Sequence, residues 1–157
     1  MKKIISVLVE NHFGVLTHVA GLFSARGFNI DSLAVGETED PTISRMTIVA
    51  DGDEKTLEQV KKQLNRLIDV VKVIDLTDED FVDRELVLVK ARIDSKNRSE
   101  ILQIADTFQA KIDDVKKDTA VIEVTGDQNK IKSFIEIMKP FGVTEIVRTG
   151  RIAMGRK

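Results

Sequence analysis

The feature that most constrains the fold is the order in which two apolar periods alternate along the chain. Residues Ile4–Val9 are almost all apolar and stop at Glu10, so they read as a strand with both faces at least partly covered. From Val15 to Arg26 the period changes: Leu16, Val19, Ala20 and Phe23 fall at i, i+3, i+4 and i+7 and make one stripe of a helix. Gly27 sits where a left-handed C-terminal cap belongs. Phe28–Gly36 and Ile43–Ala50 are strands; the second alternates, with Met46, Ile48 and Ala50 on one face and Arg45, Thr47 and Val49 on the other. Asp51-Gly52-Asp53 turns the chain and caps a second helix carrying Leu57, Val60, Leu64 and Leu67. Val70–Leu76 is the last strand of this set.

The order β-α-β-β-α-β, with right-handed crossovers, places both helices on one face of a four-stranded antiparallel sheet in the order 4-1-3-2. Strand two is then an edge. The helices cover one face only, and a second subunit is the expected cover for the other face of strand one. After an acidic, polar stretch the same grammar returns. Leu86–Ile93 is a strand. Ser95–Gln109 is a helix with Ile101, Leu102, Ala105 and Phe108 inside. Lys111–Val115 and Ala120–Thr125 are strands, Asn129–Lys139 is a helix, and Val143–Val147 is the final strand. Ala20-Gly21-Leu22-Phe23-Ser24-Ala25 matches Ala105-Asp106-Thr107-Phe108-Gln109-Ala110, and each run leads to an Ile-Asp pair. The expected architecture is α+β: two consecutive ferredoxin-like sandwiches at 1–77 and 85–157, joined by a linker at 78–84.

Bulk chemistry removes several classes of function. With 24 basic and 26 acidic residues there is no charge imbalance that calls for nucleic acid or a membrane surface. The absence of Cys excludes disulfides, thiolate catalysis and Cys-ligated metals. No apolar run approaches the roughly 20 residues of a membrane span, and no signal-peptide core precedes the first strand, so a cytoplasmic protein is expected. His12 and His18 lie six apart and share no helix face, and no metal site is expected from them. Asp113-Asp114 and Asp78-Glu79-Asp80 read as solvated turns, and no Gly-rich phosphate loop is present. The C-terminal Arg148, Arg151, Arg156 and Lys157 read as a frayed basic tail, or as a contact for an acidic patch on a partner.

One junction points to a ligand. Asn11-His12-Phe13-Gly14-Val15-Leu16 joins the first strand to the first helix. The free N–H groups of a first helical turn carry partial positive charge, and a glycine there lets another molecule approach the backbone. A small carboxylate fits such a place, with about 0.3–1 kcal/mol of dipole attraction added to its hydrogen bonds. The plain alternative is a tight turn capped by Asn11 or His12. The equivalent junction in the second half, Asp94-Ser95-Lys96-Asn97-Arg98, has no glycine, so the fold closes this turn without one. Asn29 opens the edge strand, and pairing of two copies through that edge would bring it to the Asn11–Leu16 loop of the other chain. Its amide offers donors and acceptors to a zwitterion.

Together, Asn11-His12-Phe13-Gly14-Val15-Leu16 and Gly27-Phe28-Asn29-Ile30-Asp31-Ser32-Leu33 resemble the small regulatory subunits of acetolactate synthase (acetohydroxyacid synthase), whose N-terminal half is an ACT domain. The resemblance extends over essentially the whole chain, with weaker motifs in the second half. It implies a subunit that does no chemistry itself and holds no cofactor. Thiamine diphosphate, Mg²⁺ and FAD would belong to a catalytic large subunit, which this chain would activate. It implies feedback inhibition by valine or another branched-chain amino acid bound between two ACT domains of a homodimer. The matching contact positions are Asn11, His12, Gly14, Val15, Leu16, Asn29 and Ile30. On that reading Gly14–Leu16 amides take the carboxylate, an Asn11 or Asn29 oxygen takes the ammonium, and Val15, Leu16 and Ile30 line an apolar slot. One methylene in such a slot is worth only ~1–3 kcal/mol, which leaves valine, isoleucine and leucine hard to separate.

Two other classes share this element order. An RNA-binding module needs exposed aromatics on the central strands, where this chain has Arg45, Met46, Thr47 and Ile48 and no Tyr or Trp at all. An enzyme of the same fold lacks an acid–base set here. An ACT sensor serving another biosynthetic enzyme remains the nearest alternative.

Overall fold

The computed structural model describes residues 2–157. Along them run β1 (Lys2–Glu10), α1 (Val15–Ala25), β2 (Asn29–Glu37), β3 (Ile43–Asp51), α2 (Glu54–Arg66) and β4 (Val70–Asp75). Then follow β5 (Phe81–Arg92), α3 (Arg98–Thr107), β6 (Lys111–Val115), β7 (Thr119–Gly126), α4 (Gln128–Met138), β8 (Val143–Arg148) and β9 (Ile152–Gly155). The first sheet has the order β2-β3-β1-β4 and the second repeats it as β6-β7-β5-β8, with β9 pairing to β5. The pairings are antiparallel. The expected α+β class with two ferredoxin-like sandwiches is therefore the observed one, and β2 is an edge.

Each sandwich closes on its own core. In the first, Ile5, Val7 and Val9 of β1 and Met46, Ile48 and Ala50 of β3 meet Val15, Val19 and Phe23 of α1 and Leu57, Val60 and Leu64 of α2. Burying each such side chain contributes ~1.5–3 kcal/mol. In the second, Val87, Val89 and Ala91 of β5 and Ile122 and Val124 of β7 meet Ile101, Ile131, Phe134 and Met138. The matched aromatics Phe23 and Phe108 each stand edge-on to a second ring, Phe28 at 6.0 Å and Phe134 at 5.4 Å. Leu102, expected inside, is instead nearly half exposed on α3.

Three expectations need correction. The stretch expected as a linker at 78–84 is shorter, because β5 begins at Phe81. The second face of β1 is not left for another subunit: Ile4 and Val49 are buried under Leu76 and Ala153, with Ile74 and Phe81 packed alongside. The C-terminal residues are not a frayed tail, since Ile152–Gly155 form β9 and Arg156 N donates to Asp80 O at 3.0 Å. Arg151–Lys157 accordingly belong with the first compact unit, which runs to Val82, while Asp83–Gly150 form the second. The boundary expected at 85–157 thus cuts across a returning segment. Four residues are too few to show a period of their own, and only Ala153, small enough to lie against Ile4, betrays a buried position.

Arg148 is also not a free tail cation. Its Nε and Nη2 donate to Glu85 at 3.1 and 2.6 Å, and Gly150 N donates to the same carboxylate at 3.1 Å. The Glu85 hydrogen bond raises the Arg148 pKa, against the opposing effect of burial. Gly150, at φ 82°, makes the left-handed turn that this clamp requires.

Candidate ligand-binding site

The β1–α1 junction is held from both sides of the sheet end. Glu10 N donates to Asp69 O at 2.8 Å and Asn11 N to Thr42 O at 2.7 Å. Gly14 is the N-cap of α1, with φ 87° and ψ −13°, and no side chain caps the helix. Nothing lies within 4 Å of the place a Cβ would occupy at Gly14, so the backbone is open to approach. Val15 N reaches His12 O only at 3.5 Å, and the amides of Leu16 and Thr17 have no acceptor among the described residues. The entries of α2 and α4 are capped by side chains, whereas α3, like α1, has no side-chain cap, and only the turn ahead of it is tied by side chains. Asp53 Oδ1 accepts from Lys55 N and Thr56 N, Asp127 Oδ1 from Lys130 N, and Asp94 Oδ1 from Lys96 N and Asn97 N.

The two asparagines are oriented by their surroundings. Asn11 Nδ2 donates to Glu37 Oε1 at 3.3 Å and to Pro41 O at 3.0 Å. Asn29 Nδ2 donates to Asp31 Oδ1 at 2.7 Å. Asp31 is the extra residue of a bulge between Ile30 and Ser32 and pairs with the Lys2 ammonium. That Lys2 hydrogen bond is the main cause holding the Asp31 carboxyl below its ordinary range, with Asn29 adding to it. In both asparagines the nitrogen is engaged and the oxygen is left as an acceptor without a donor among the described residues.

The other expected positions divide. Leu16 is nearly half exposed and available to a ligand, and Ile30 is partly buried against the first core. Val15 is buried in the first core together with Val19, Phe23 and Leu57. His12 Nε2 lies 2.9 Å from Asp69 Oδ1 and 3.2 Å from Glu10 Oε2. The Glu10 hydrogen bond raises its pKa most, partial desolvation opposes it, and the Asp69 charge adds to the rise. Glu10, His12 and Asp69 place three ligand atoms within 4.8 Å of one another, a grouping that the spacing of the histidines did not foretell. Their mutual ion pairs use the same atoms.

Within one chain Asn11 and Asn29 lie at opposite ends of the first sheet. Asn29 pairs in register with Asp51 and so with the Lys2 end of β1, whereas Asn11 follows Glu10 at the other end. Eight residues of strand separate the two ends, about 26 Å. Two residues outside the expected set lie at the Asn11 end. Phe13 is fully exposed in the loop, and Ile68, beside the Asp69 that binds His12, is 92% exposed. An apolar residue with no place in either period, as Phe13 is, was the available signal. On β2, Ser32 Oγ is a buried hydroxyl without a partner among the described residues.

Residues 84–157 match the family described as the small subunit of acetolactate synthase, and residues 5–72 match the small-subunit-like ACT domain of acetohydroxyacid synthase. A probable acetolactate synthase small subunit of Archaeoglobus fulgidus is 52% identical over 156 residues, 99% of this chain and 98% of that protein. The acetolactate synthase small subunit of Aquifex aeolicus is 52% identical over 157 residues, covering 99% of this chain and 82% of that one. The crystal structure of the Thermotoga maritima small subunit superposes with a TM-score of 0.90 at 44% identity, covering 100% of this chain and 98% of its own. With the ACT-type edge strand, the open helix entry and the second sandwich in place, the chain belongs to the acetolactate synthase small-subunit family.

Proposed function

We propose that this chain binds valine, or a close branched-chain analogue, between the ACT domains of a homodimer, and through it regulates a catalytic acetolactate synthase subunit. That partner would be the carrier of thiamine diphosphate, Mg²⁺ and FAD, and this chain would raise its activity and confer feedback inhibition in the cytoplasm. The observation that carries the reading is the uncapped entry of α1 at Gly14, set at one end of the sheet, with Asn29 at the opposite end of an edge strand.

Edge pairing joins the two ends. If β2 of two copies pair antiparallel about Leu33, Asn29 of one chain meets the partner's Glu37, whose carboxylate holds Asn11. The Gly14–Leu16 amides then take the carboxylate of the amino acid, and the free Oδ1 atoms of Asn11 and Asn29 take its ammonium. Leu16 and Ile30 supply apolar contact, while Val15 supplies an amide alone. His12 stays outside the contact, held by Glu10 and Asp69. The orphaned Ser32 hydroxyl on β2 supports an edge that receives a partner. Because two chains build the pocket, ligand binding is linked to dimer geometry, and ~1–3 kcal/mol of coupling is ordinary for such a switch. Calorimetric titration with valine, combined with light scattering, tests the reading. One site per seam in a dimer is expected; binding with full affinity by a monomer sinks it.

A further inference from the structure

A cavity of about 520 Å³ lies on the face of the first sheet that carries no helix. One wall is β4 with the turn that follows it, and the other is the returning C-terminal segment with β9. At its base Arg45 Nη1 donates to the buried Ser6 Oγ at 2.7 Å. This guanidinium is half buried, and among the described residues it has neither a carboxylate partner nor any other hydrogen bond. Removing an arginine from water without a counter-charge is costly, and the free donors of its fork match a carboxylate. Lys72 and Lys157 line the same cavity and are likewise without ion pairs. Of the acids in the lining, Asp75 is engaged by Thr77 and Lys61, and Asp80 by Arg156. Glu79 alone opposes three free cations.

We infer that this groove receives an acidic side chain on an extended segment of a partner protein, with Arg45 gripping its carboxylate and Lys72 and Lys157 flanking it. The partner tested is the catalytic subunit, so the inference rests on the functional reading above and names the surface that reading lacks. β4 is an edge strand whose outer side is unpaired, so an extended segment lying along it finds main-chain donors and acceptors as well. The site lies on the face of the sheet opposite the helices, apart from the α1 entry, so the two functions are separable by mutation.

The test compares wild type, Arg45→Glu and Lys72→Glu as full chains. Binding to the catalytic subunit is measured by sedimentation at low and high salt, and valine affinity by calorimetry. Arg45→Glu is expected to weaken assembly at least tenfold with valine affinity unchanged. Lys72→Glu is expected to weaken it severalfold, and the wild-type interaction is expected to weaken as salt rises. Assembly unaltered by either variant overturns the inference while leaving the effector reading intact. Should Arg45→Glu disturb the fold, seen as lost valine binding, exposed Lys72 decides alone. A wild-type chain that never assembles with the catalytic subunit sinks both readings. Competition by free glutarate as strong as by an acidic peptide would assign the groove to a small dicarboxylate and overturn the docking segment.

Discussion

The two strand-to-helix junctions that open the sandwiches occupy equivalent places in the same topology and both lead into helices without a side-chain cap, but their turns are built differently. At β5–α3 the turn ahead of the helix is tied by side chains: Asp94 accepts from the amides of Lys96 and Asn97, while Asn97 Oδ1 accepts from Asp94 N and its Nδ2 donates to Arg92 O. At β1–α1 a left-handed Gly14 takes the cap position and supplies no acceptor, so the helix entry stays open. The difference teaches that a left-handed glycine at the helix entry is not a requirement of this fold, since α3 enters from Asn97 in the right-handed region. The turn before α3 is filled by the side chains of Asp94 and Asn97, whereas the backbone before α1 lies open at Gly14, and that open approach is the strongest local argument for a ligand.

The largest effect is expected from closing the first junction. Gly14→Asp places a carboxylate where the proposed effector's carboxylate would sit. Its cap to the Leu16 or Thr17 amide, about 1 kcal/mol, offsets the strain of a left-handed non-glycine residue of similar size. Folding stability then changes by less than about 1 kcal/mol while valine affinity falls by about 100-fold, roughly 2.7 kcal/mol. Calorimetry beside thermal melting reads both. Retained affinity would break the comparison, since an occupied helix entry could not also bind the effector.

Asn29→Ala sharpens the comparison from the other end of the seam. Loss of one hydrogen bond to a charged ammonium is expected to weaken valine by about tenfold, some 1.5 kcal/mol. Size-exclusion chromatography is expected to show the dimer unchanged. Dissociation instead would mean that Asn29 and Asp31 hold the edge and not the ligand.

Asp94→Ala opens the second junction artificially. Two amides lose their acceptor, for an expected cost of about 1 kcal/mol in the second sandwich. Hydrogen exchange at β6, β7 and β8 is the measure, and valine affinity measured in parallel is expected to stay at the wild-type value. A new valine site at α3 would show that an open helix entry alone suffices, without the glycine and the edge asparagine.

Most of the fold was legible because each sandwich keeps its two periods clean. Ile5, Val7 and Val9 against Val19, Phe23 and Leu57 follow directly from period 2 and period 3.6. What escaped was non-local. β9 is four residues long, and its partners are more than 70 residues away, so no local pattern announces that Ala153 covers Ile4 and Val49. Leu102 escaped because its place in the stripe of α3 does not say which edge of that stripe meets the sheet. Gly14 stands out in the sequence through the missing glycine at Asp94–Arg98, and the structure gives it a left-handed φ of 87° with open space around it. Val15 sits in the apolar stripe of α1, and the structure places its side chain in the first core. His12 escaped because Asp69 reaches it only through pairing of the Glu10 and Asp69 backbones.

His12 provides the smallest effect and the finest comparison, since no titrating group of its kind occurs in Asp94-Ser95-Lys96. Its folded pKa lies above 6.5, first through Glu10 and then, against some desolvation, through Asp69. A raised pKa means that the folded state favours the charged ring. The ion pairs therefore contribute fully below about pH 6.5 and are lost as the pH rises through the folded pKa. Following the His12 Hε1 resonance by NMR should give a midpoint above 6.5. Glu10→Gln should move it down further than Asp69→Asn does. The group is solvent-exposed, so the change in melting temperature across this window is expected to be small. If His12 instead touched the bound amino acid, saturating valine would displace the midpoint. The structure, with the ring turned to Glu10 and Asp69, predicts that it stays where it is.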